Sequence, residues 1–192
     1  MKTEDKILDA CEKLIQDRGY HGFSFADVAE VVGIRKASIY YYFPAKAELG
    51  QKTVNRYRSR MRVIREDWSE AENLDVLAAL DTYLEPIVAL GHTPGASCLC
   101  GVLGGEFQSL PSIVQDEVSD FFDEHLRTLS RLFEIGRDRG VLRFQSDPAV
   151  MAKVAFSMIE GSMLIKRTCG DADVFEEVIG NLKTLLGIRS QT

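Results

Sequence analysis

The 192-residue sequence lacks any apolar run approaching the roughly 18–20 residues that a membrane-spanning helix needs. Its first residues carry acidic side chains, and they lack the basic segment and short apolar block of a secretory signal peptide. We therefore expect a cytoplasmic protein that has no membrane partner.

Cysteine and histidine are scarce, and their spacing does not predict a metal site. Cys98 and Cys100 are separated by one residue, no second pair follows them, and the three histidines are scattered along the chain. A cytoplasmic setting also argues against structural disulfides. We therefore expect neither a metal nor a cofactor.

Short catalytic motifs are absent as well. The sequence contains no nucleophile elbow, phosphate-binding loop, metal-binding motif or dinucleotide fingerprint. Glu106 and His125 are the one acid–base pair that suggests itself, and nothing in the sequence brings them together. We expect a protein that is not an enzyme. An enzyme and a helical protein-interaction module without DNA binding remain the alternatives.

Segments with the alternating pattern of a β-strand are missing too, and helical spacing recurs almost throughout. The apolar side chains of residues 7–15 share one helical face, and Gly19 follows as a C-terminal cap. Ser24 and Asp27 have the spacing of an N-terminal capping arrangement, and Ser146-Asp147-Pro148 marks another helix start. The predicted fold class is all-α.

Charge is unevenly distributed along the chain, although its net value is −6. Residues 1–65 hold thirteen Lys/Arg and eight Asp/Glu, a net of +5, whereas residues 66–192 hold ten and twenty-one, a net of −11. The first part includes a basic series of Lys52, Arg56, Arg58, Arg60, Arg62 and Arg65. It is suited to a polyanion, which would repel the second part. A chance asymmetry of helix surfaces is the alternative.

Residues 25–43 have the pattern of a helix-turn-helix, in which a tight turn joins a short helix to a second one. Ala29 is small where the two helices approach, and Gly33 tolerates the positive φ of the turn. Ile34 and Ile39 can pack the second helix onto the first. The second helix is then available to lie in the major groove of DNA.

The residues around this second helix supply the candidate DNA contacts. Arg35 and Lys36 can donate to guanine edges or phosphates, and Ala37 is small enough to contact a thymine methyl group. Lys46 adds its charge to the N-terminal amides of the following helix, which attract anions. Three consecutive tyrosines cannot all face one way, so we expect at least one of them in the core, together with Phe43. The full candidate set is Ser24, Arg35, Lys36, Ala37, Ser38, Tyr40, Tyr41, Tyr42 and Lys46.

Residues 5–50 resemble the DNA-binding region of the TetR family of transcriptional regulators. The matching segments are Ile7-Leu8-Asp9-Ala10, Gly19-Tyr20-His21-Gly22-Phe23-Ser24, Asp27-Val28-Ala29, Gly33-Ile34 and Ser38-Ile39-Tyr40-Tyr41-Tyr42-Phe43-Pro44-Ala45-Lys46-Ala47-Glu48-Leu49. The resemblance implies a homodimer with two recognition helices in successive major grooves of double-stranded operator DNA, and usually repression relieved by a small ligand. Phe25 and Ala26 depart from the residues often found at their positions. The positions that the family pattern assigns to DNA contact are Lys36, Ala37, Tyr40, Tyr42 and Lys46.

We therefore expect a three-helix helix-turn-helix domain over residues 1–48, joined to a helical ligand-sensing and dimerisation domain over residues 49–192. The resemblance implies that the last two long helices build a four-helix bundle across the two-fold axis. One candidate face consists of Val150, Val154, Met158, Gly161 and Ile165, and the other of Phe175, Val178, Ile179, Leu182, Leu185 and Leu186. Ordinary core within one chain is the alternative for both faces.

Residues 96–110 form a glycine-rich apolar segment, although each glycine in a helix costs roughly 1 kcal/mol relative to alanine. Close packing or space for a ligand would offset that cost. We hypothesise that a small-molecule effector that rearranges the segment shifts the basic helix and changes the spacing of the two DNA-binding heads. Cys98 and Cys100 are either sensors of reactive electrophiles, as in some family members with a similar segment, or small buried apolar residues. The predicted lining of the effector pocket is Cys98, Phe107, Phe121, Phe122, His125, Met158 and Met163.

Overall fold

The computed structural model describes residues 2–63, 74–93, 96–170 and 173–188. All regular structure in these ranges is helical, which confirms the predicted all-α class. Arg65 of the predicted basic series lies outside the described residues. The helices are α1 Thr3–Arg18, α2 Phe25–Val32, α3 Lys36–Tyr42, α4 Lys46–Val63, α5 Val76–His92, α6 Leu99–Gly105, α7 Ser112–Asp138, α8 Pro148–Cys169 and α9 Val174–Leu185, with a 3₁₀-helix at Phe107–Ser109.

The chain divides into two compact units that do not follow its linear order. The first combines Met1–Met61 with Ser97–Phe122, and the second combines Arg62–Ala96 with Asp123–Thr192. Helix α7 therefore contributes residues to both units. The glycine-rich segment belongs to the same unit as the helix-turn-helix. The predicted division between residues 48 and 49 stays a prediction.

The first unit confirms the helix boundaries predicted for the N-terminal region. Helix α1 ends at Gly19, whose φ of 78° suits glycine and whose amide donates to the Ile15 carbonyl at 2.8 Å. Helix α2 ends at Gly33, which adopts a left-handed φ of 74°. The core between these helices is apolar. Its fully or almost fully buried side chains are Ile7, Cys11, Ile15, Val28, Ile39, Phe43, Leu49 and Val54.

The second unit confirms the predicted start of the long C-terminal helix. The Asp147 carboxylate accepts from the Ala149 amide at 2.9 Å, Pro148 occupies the first turn of α8, and Gly170 follows in a left-handed conformation. Helix α9 packs on both α8 and α5. The buried apolar side chains of this unit include Leu80, Leu84, Leu129, Leu132, Phe133, Leu142, Phe156, Ile159, Phe175 and Leu182.

Among the described residues, α8 is the one helix that is long and apolar enough to cross a membrane by length and composition. The core helix of a soluble protein meets the same test. One side of α8 has this character, because Ala152, Ala155, Phe156 and Ile159 are buried in the second unit.

A reciprocal capping box opens α2. The backbone amide of Ser24 donates to the Asp27 carboxylate at 2.8 Å, its hydroxyl donates to the same oxygen at 2.6 Å, and that hydroxyl accepts from the Ala26 amide. The bonds from the hydroxyl and the amide of Ser24 lower the pKa of Asp27 below its ordinary value. The ionised carboxylate therefore stabilises the start of the helix that supports α3.

We expect Asp27→Asn to lower the free energy of unfolding near neutral pH. Because the folded pKa is depressed, the stabilisation is complete above the unfolded pKa of about 4 and is lost as pH falls through the folded pKa. Urea unfolding followed by circular dichroism at several pH values measures the difference between variant and wild type. Glu30→Gln, which removes an exposed acid from the same helix, is the control. A difference that persists unchanged at pH 2 would contradict this account.

Candidate nucleic-acid interface

Two apolar anchors fix α3 to the rest of the first unit. Ile39 is completely buried, and Phe43 directly after the helix is 3% exposed. The Gly33 and Ile34 amides both donate to the Ala29 carbonyl at 3.0 Å and so tighten the turn between α2 and α3. Residues 39 and 43 are four apart and share one side of the helix, so the opposite side of α3 is left at the surface.

The surface side of α3 carries the predicted readers. Arg35, Lys36 and Ala37 are exposed, and Ser38 is half-buried. The expectation that at least one of the three tyrosines is core is wrong, because Tyr40, Tyr41 and Tyr42 are 49%, 83% and 38% exposed. Helix α3 spans seven residues, and Ile39 with Phe43 already provides its contact with the core.

The exposed rings are arranged against one another and against a neighbouring helix. The Phe25 ring contacts the Tyr40 ring edge-on, with centroids 4.9 Å apart and an interplanar angle of 71°. The Lys36 ammonium lies 6.0 Å from the centroid of Tyr40. Tyr41 and Tyr42 form a perpendicular pair with centroids 5.1 Å apart. Phe25, where the sequence departs from the family pattern, therefore supports a predicted DNA-contacting residue.

Lys46 is held by aromatic and backbone groups at the first position of α4. Its ammonium lies 4.1 Å from the ring centroid of Phe23 and 4.8 Å from that of Tyr20. It also donates to the Phe23 carbonyl. Partial burial lowers the pKa of Lys46, an effect that neighbouring acidic groups oppose. The cation is thus oriented in advance, and its contact with DNA stays a prediction.

Ser24 is engaged in the capping box. Its hydroxyl proton points to Asp27, so donation of that proton to a phosphate would require the cap to rearrange. The residue is exposed, and its place among the DNA contacts stays a prediction.

Two arginines of the predicted basic series form ion pairs with acidic residues of α1. The Arg56 guanidinium lies 2.7 Å from the Asp9 carboxylate and 3.6 Å from that of Glu12. Arg60 contacts Glu12 at 2.6 Å. Much of the positive charge counted along α4 is therefore neutralised within the unit. In the sequence, the spacing of Asp9 and Glu12, three residues apart on α1, is the feature that could have indicated these ion pairs.

A third arginine joins α4 to the first part of α7. Arg58 pairs with Glu117 and lies 3.0 Å from the Asp120 carboxylate. Asn55 donates to Glu117 at 3.2 Å. The two side chains secure α4 to residues that follow the glycine-rich segment. Sequence analysis did not find this contact, because it joins positions about 60 residues apart.

The glycine-rich segment makes polar contacts with the end of α1. The Glu106 carboxylate accepts from the Tyr20 amide at 2.7 Å, and a Cβ at Gly19 would overlap that carboxylate. The His21 imidazole and the Ser109 hydroxyl are 3.0 Å apart. The loop between α1 and α2 is therefore bound by residues of 96–110, which sequence reasoning missed.

Close packing does not account for every glycine of this segment. A Cβ at Gly104 would lie 3.6 Å from the Phe122 ring, an ordinary contact, and a Cβ at Gly105 would meet nothing within 4 Å. Both glycines are exposed, so space for a ligand in this segment stays a prediction.

The predicted pocket residues divide between the two units. Cys98 and Phe121 are buried in the first unit, where Phe107 and Phe122 are half-buried. Cys98 caps α6 through a contact of its sulfur with the Gly101 amide at 3.4 Å, and the Tyr57 hydroxyl lies 3.8 Å from that sulfur. Cys100 is completely buried. Cys98 thus has polar neighbours as well as an apolar enclosure.

The remaining predicted pocket residues lie in the second unit. His125 is 3% exposed, its Nδ1 lies 2.6 Å from the Tyr83 hydroxyl, and its ring stacks on Phe156 with centroids 5.0 Å apart. Met163 is buried and Met158 half-buried. Within the described ranges, no group of three or more His, Cys, Asp or Glu side chains could hold a metal ion.

Glu106 and His125, the acid–base pair considered from the sequence, belong to different units, and each has a hydrogen-bond partner within its own unit.

Two family models match the chain. Residues 7–51 match the model of bacterial regulatory proteins of the tetR family, and residues 74–182 match the model of the tetracyclin repressor-like C-terminal domain. The second match alone covers more than half of the 192 residues. Together the two matches cover both the helix-turn-helix and the helices that follow it.

Individual relatives give the same result. The chain is 28% identical over 133 residues, 63% of its length and 70% of the relative's, to the biofilm operon icaADBC HTH-type negative transcriptional regulator IcaR of Staphylococcus aureus. A TetR-family regulator structure from Agrobacterium tumefaciens is 30% identical with a TM-score of 0.85, covering 96% of this chain and 97% of that one. A TetR regulator from Legionella pneumophila is 28% identical, also with a TM-score of 0.85, over 97% and 98% of the two chains. The surface face of α3, the two family models and these relatives together lead to one conclusion: the chain belongs to the TetR family of DNA-binding transcriptional regulators.

Proposed function

We propose that this protein is a homodimeric repressor that is released from its operator by a small organic ligand or a reactive electrophile. The observation that carries the proposal is the surface of α3, where Arg35 and Lys36 accompany exposed tyrosines and no acidic residue is present. Such a surface can approach the negatively charged major groove without repulsion. The name of the Staphylococcus aureus relative, a negative regulator, favours repression over activation.

Dimer formation is supported by an apolar stripe on α8. Val150, Val154 and Ile165 are 49%, 40% and 45% exposed, and a Cβ at Gly161 would meet nothing within 4 Å. These positions share one side of the helix, where Met158 is half-buried. A second copy of the chain would remove this stripe from water, in keeping with the dimers typical of the family.

The proposed face on α9 is smaller than the sequence indicated. Leu185 is 49% exposed and Val178 half-buried. The other apolar positions of this face are buried within the unit: Phe175, Ile179, Leu182 and Leu186. We assign Val178 and Leu185 to the proposed interface, beside the α8 stripe.

Release from the operator would use the contacts between residues 96–110 and the loop after α1. An effector that displaces this segment would break the bond from the Tyr20 amide to Glu106 and the contact between His21 and Ser109. That loop leads directly into the capping box of α2, so its movement would reach α3.

Cys98 is the proposed point of attack for an electrophile. Its thiolate sulfur would form a bond to the electron-poor carbon of an alkene such as N-ethylmaleimide, and the neighbouring carbon would take up a proton. Cys98 is 5% exposed at the start of α6, so its buried surroundings would not accommodate the added group. The segment would therefore have to open.

Operator binding tests the proposal directly. A duplex selected by the purified protein from a random pool should bind far more tightly than an unrelated duplex, as measured by fluorescence anisotropy at fixed salt. Lys36→Ala should weaken binding to that duplex by about tenfold or more, because a cation facing base edges or phosphates is lost. Lys13→Ala, which removes an exposed cation from α1, should change it little. No enrichment of any duplex by a folded protein would refute the proposal.

We expect Val154→Glu to shift the molecular mass in solution from twice the 21.5 kDa of the chain towards the monomer. A carboxylate in the apolar stripe would be buried without a partner in the dimer. Static light scattering across a dilution series measures the change. Val141→Glu makes the same substitution at a position of nearly equal exposure, 39% against 40%, and should remain dimeric. Equal masses for the two variants would argue against the α8 stripe.

Cysteine substitutions separate the electrophile from other effectors. In a Cys169→Ser background, which removes the exposed thiol, N-ethylmaleimide should release the protein from its operator. Adding Cys98→Ser should abolish release, whereas adding Cys100→Ser should preserve it. Cys11 should not react, because burial raises its pKa to about 12. Undiminished release from the Cys98→Ser protein would exclude Cys98 as the point of attack. No release from the Cys169→Ser protein would exclude the electrophile and leave a non-covalent ligand.

A further inference from the structure

We propose that the operator is recognised mainly through guanine and through the 5-methyl groups of thymine, with the rings of Tyr41 and Tyr42 contacting the methyl groups. This inference rests on the proposed operator binding and specifies the bases that α3 selects. It follows from the side chains that are present on α3, from those that are missing, and from how the rings are held.

The chemical inventory of residues 34–43 is narrow. It contains no Asn or Gln, the side chains that pair with the edge of adenine, and no Asp or Glu, which accept from cytosine. Arg35 and Lys36 are the donors suited to the two acceptors of guanine. The other exposed side chains are small, hydroxylated or aromatic. Of the four bases, adenine and cytosine therefore have no dedicated reader on this helix.

The aromatic rings provide the apolar surface that a thymine methyl group needs. Tyr41 is 83% exposed and Tyr42 38% exposed, although both are large and mainly apolar. A methyl group in the major groove distinguishes thymine from every other base, and apolar contact is the way to detect it. Burial of these rings against methyl groups would remove apolar surface from water on both sides.

The rings are also held in place before DNA arrives. Tyr41 and Tyr42 pack perpendicular to each other, 5.1 Å between centroids. The ring of Tyr40 is held separately, by the Phe25 ring and the Lys36 ammonium. A tyrosine has only two side-chain torsions to immobilise, so contact through these rings carries a small entropic cost. One short helix thus presents the exposed Tyr41–Tyr42 ring pair together with a separately supported Tyr40 ring.

Tyrosine hydroxyls can also donate to phosphate oxygens, and this possibility predicts different behaviour. Contact with a phosphate needs the hydroxyl and is indifferent to the base, whereas contact with a methyl group needs the ring and is indifferent to the hydroxyl. Tyr41→Phe removes only the hydroxyl, and Tyr41→Ala removes both. Because Tyr41 is so exposed, neither substitution disturbs the core.

The experiment replaces thymine by deoxyuridine in the selected operator, one position at a time, which deletes only the methyl group. At the contacted positions the wild-type affinity should fall about fourfold for each methyl group, and about fifteenfold when both half-sites are changed. Tyr41→Phe should show the same sensitivity to deoxyuridine. Tyr41→Ala or Tyr42→Ala should bind thymine and deoxyuridine operators equally at its own contacted position.

Three results would overturn the inference while leaving operator binding intact. They are a selected half-site without thymine, an affinity that no deoxyuridine substitution changes, and an equal loss of affinity in Tyr41→Phe and Tyr41→Ala. The third result would assign the tyrosine to a phosphate. Failure of the proposed function is different, because then no duplex is selected at all.

Discussion

The burial of Ile39 and Phe43 is the constraint on which the exposed surface of α3 depends. Each side chain contributes roughly 1.5–3 kcal/mol by leaving water, and together they hold one side of α3 against the core. Because that side of the helix packs against the core, Tyr40, Tyr41 and Tyr42 lie at the surface. An energetic requirement of the core therefore determines which side chains of α3 are available to DNA.

Several positive charges of the first unit join its helices through ion pairs and are not free to attract a polyanion. Arg56, Arg58 and Arg60 bind acids of α1 and α7, and ion pairs of this partly exposed kind contribute little stability individually. Their main effect is to orient α4 and to cancel charge that would otherwise be counted toward a polyanion. Arg35 and Lys36 at the start of α3, and the partly buried Lys46 at the start of α4, are not among these paired cations.

The glycine-rich segment has low helical stability of its own, and it contacts the loop that follows α1. Glycines lower the helical stability of α6, yet Glu106 and Ser109 next to it bind the loop that leads to α2. These contacts are the ones that the proposed release from the operator would break. The buried Cys98 caps the start of α6 at the same point.

The sequence by itself determined the helical class, the turn at Gly33, the capping box of Ser24 and Asp27, and the start of α8, because these depend on periodicity and on neighbours a few residues away. The family assignment also followed from contiguous motifs. Only the tertiary structure decided that all three tyrosines are exposed, that the α4 arginines are paired, and that Glu106 binds the end of α1. Those outcomes depend on contacts between residues more than 40 positions apart and on which side of a short helix packs against the core. Local spacing does not specify either.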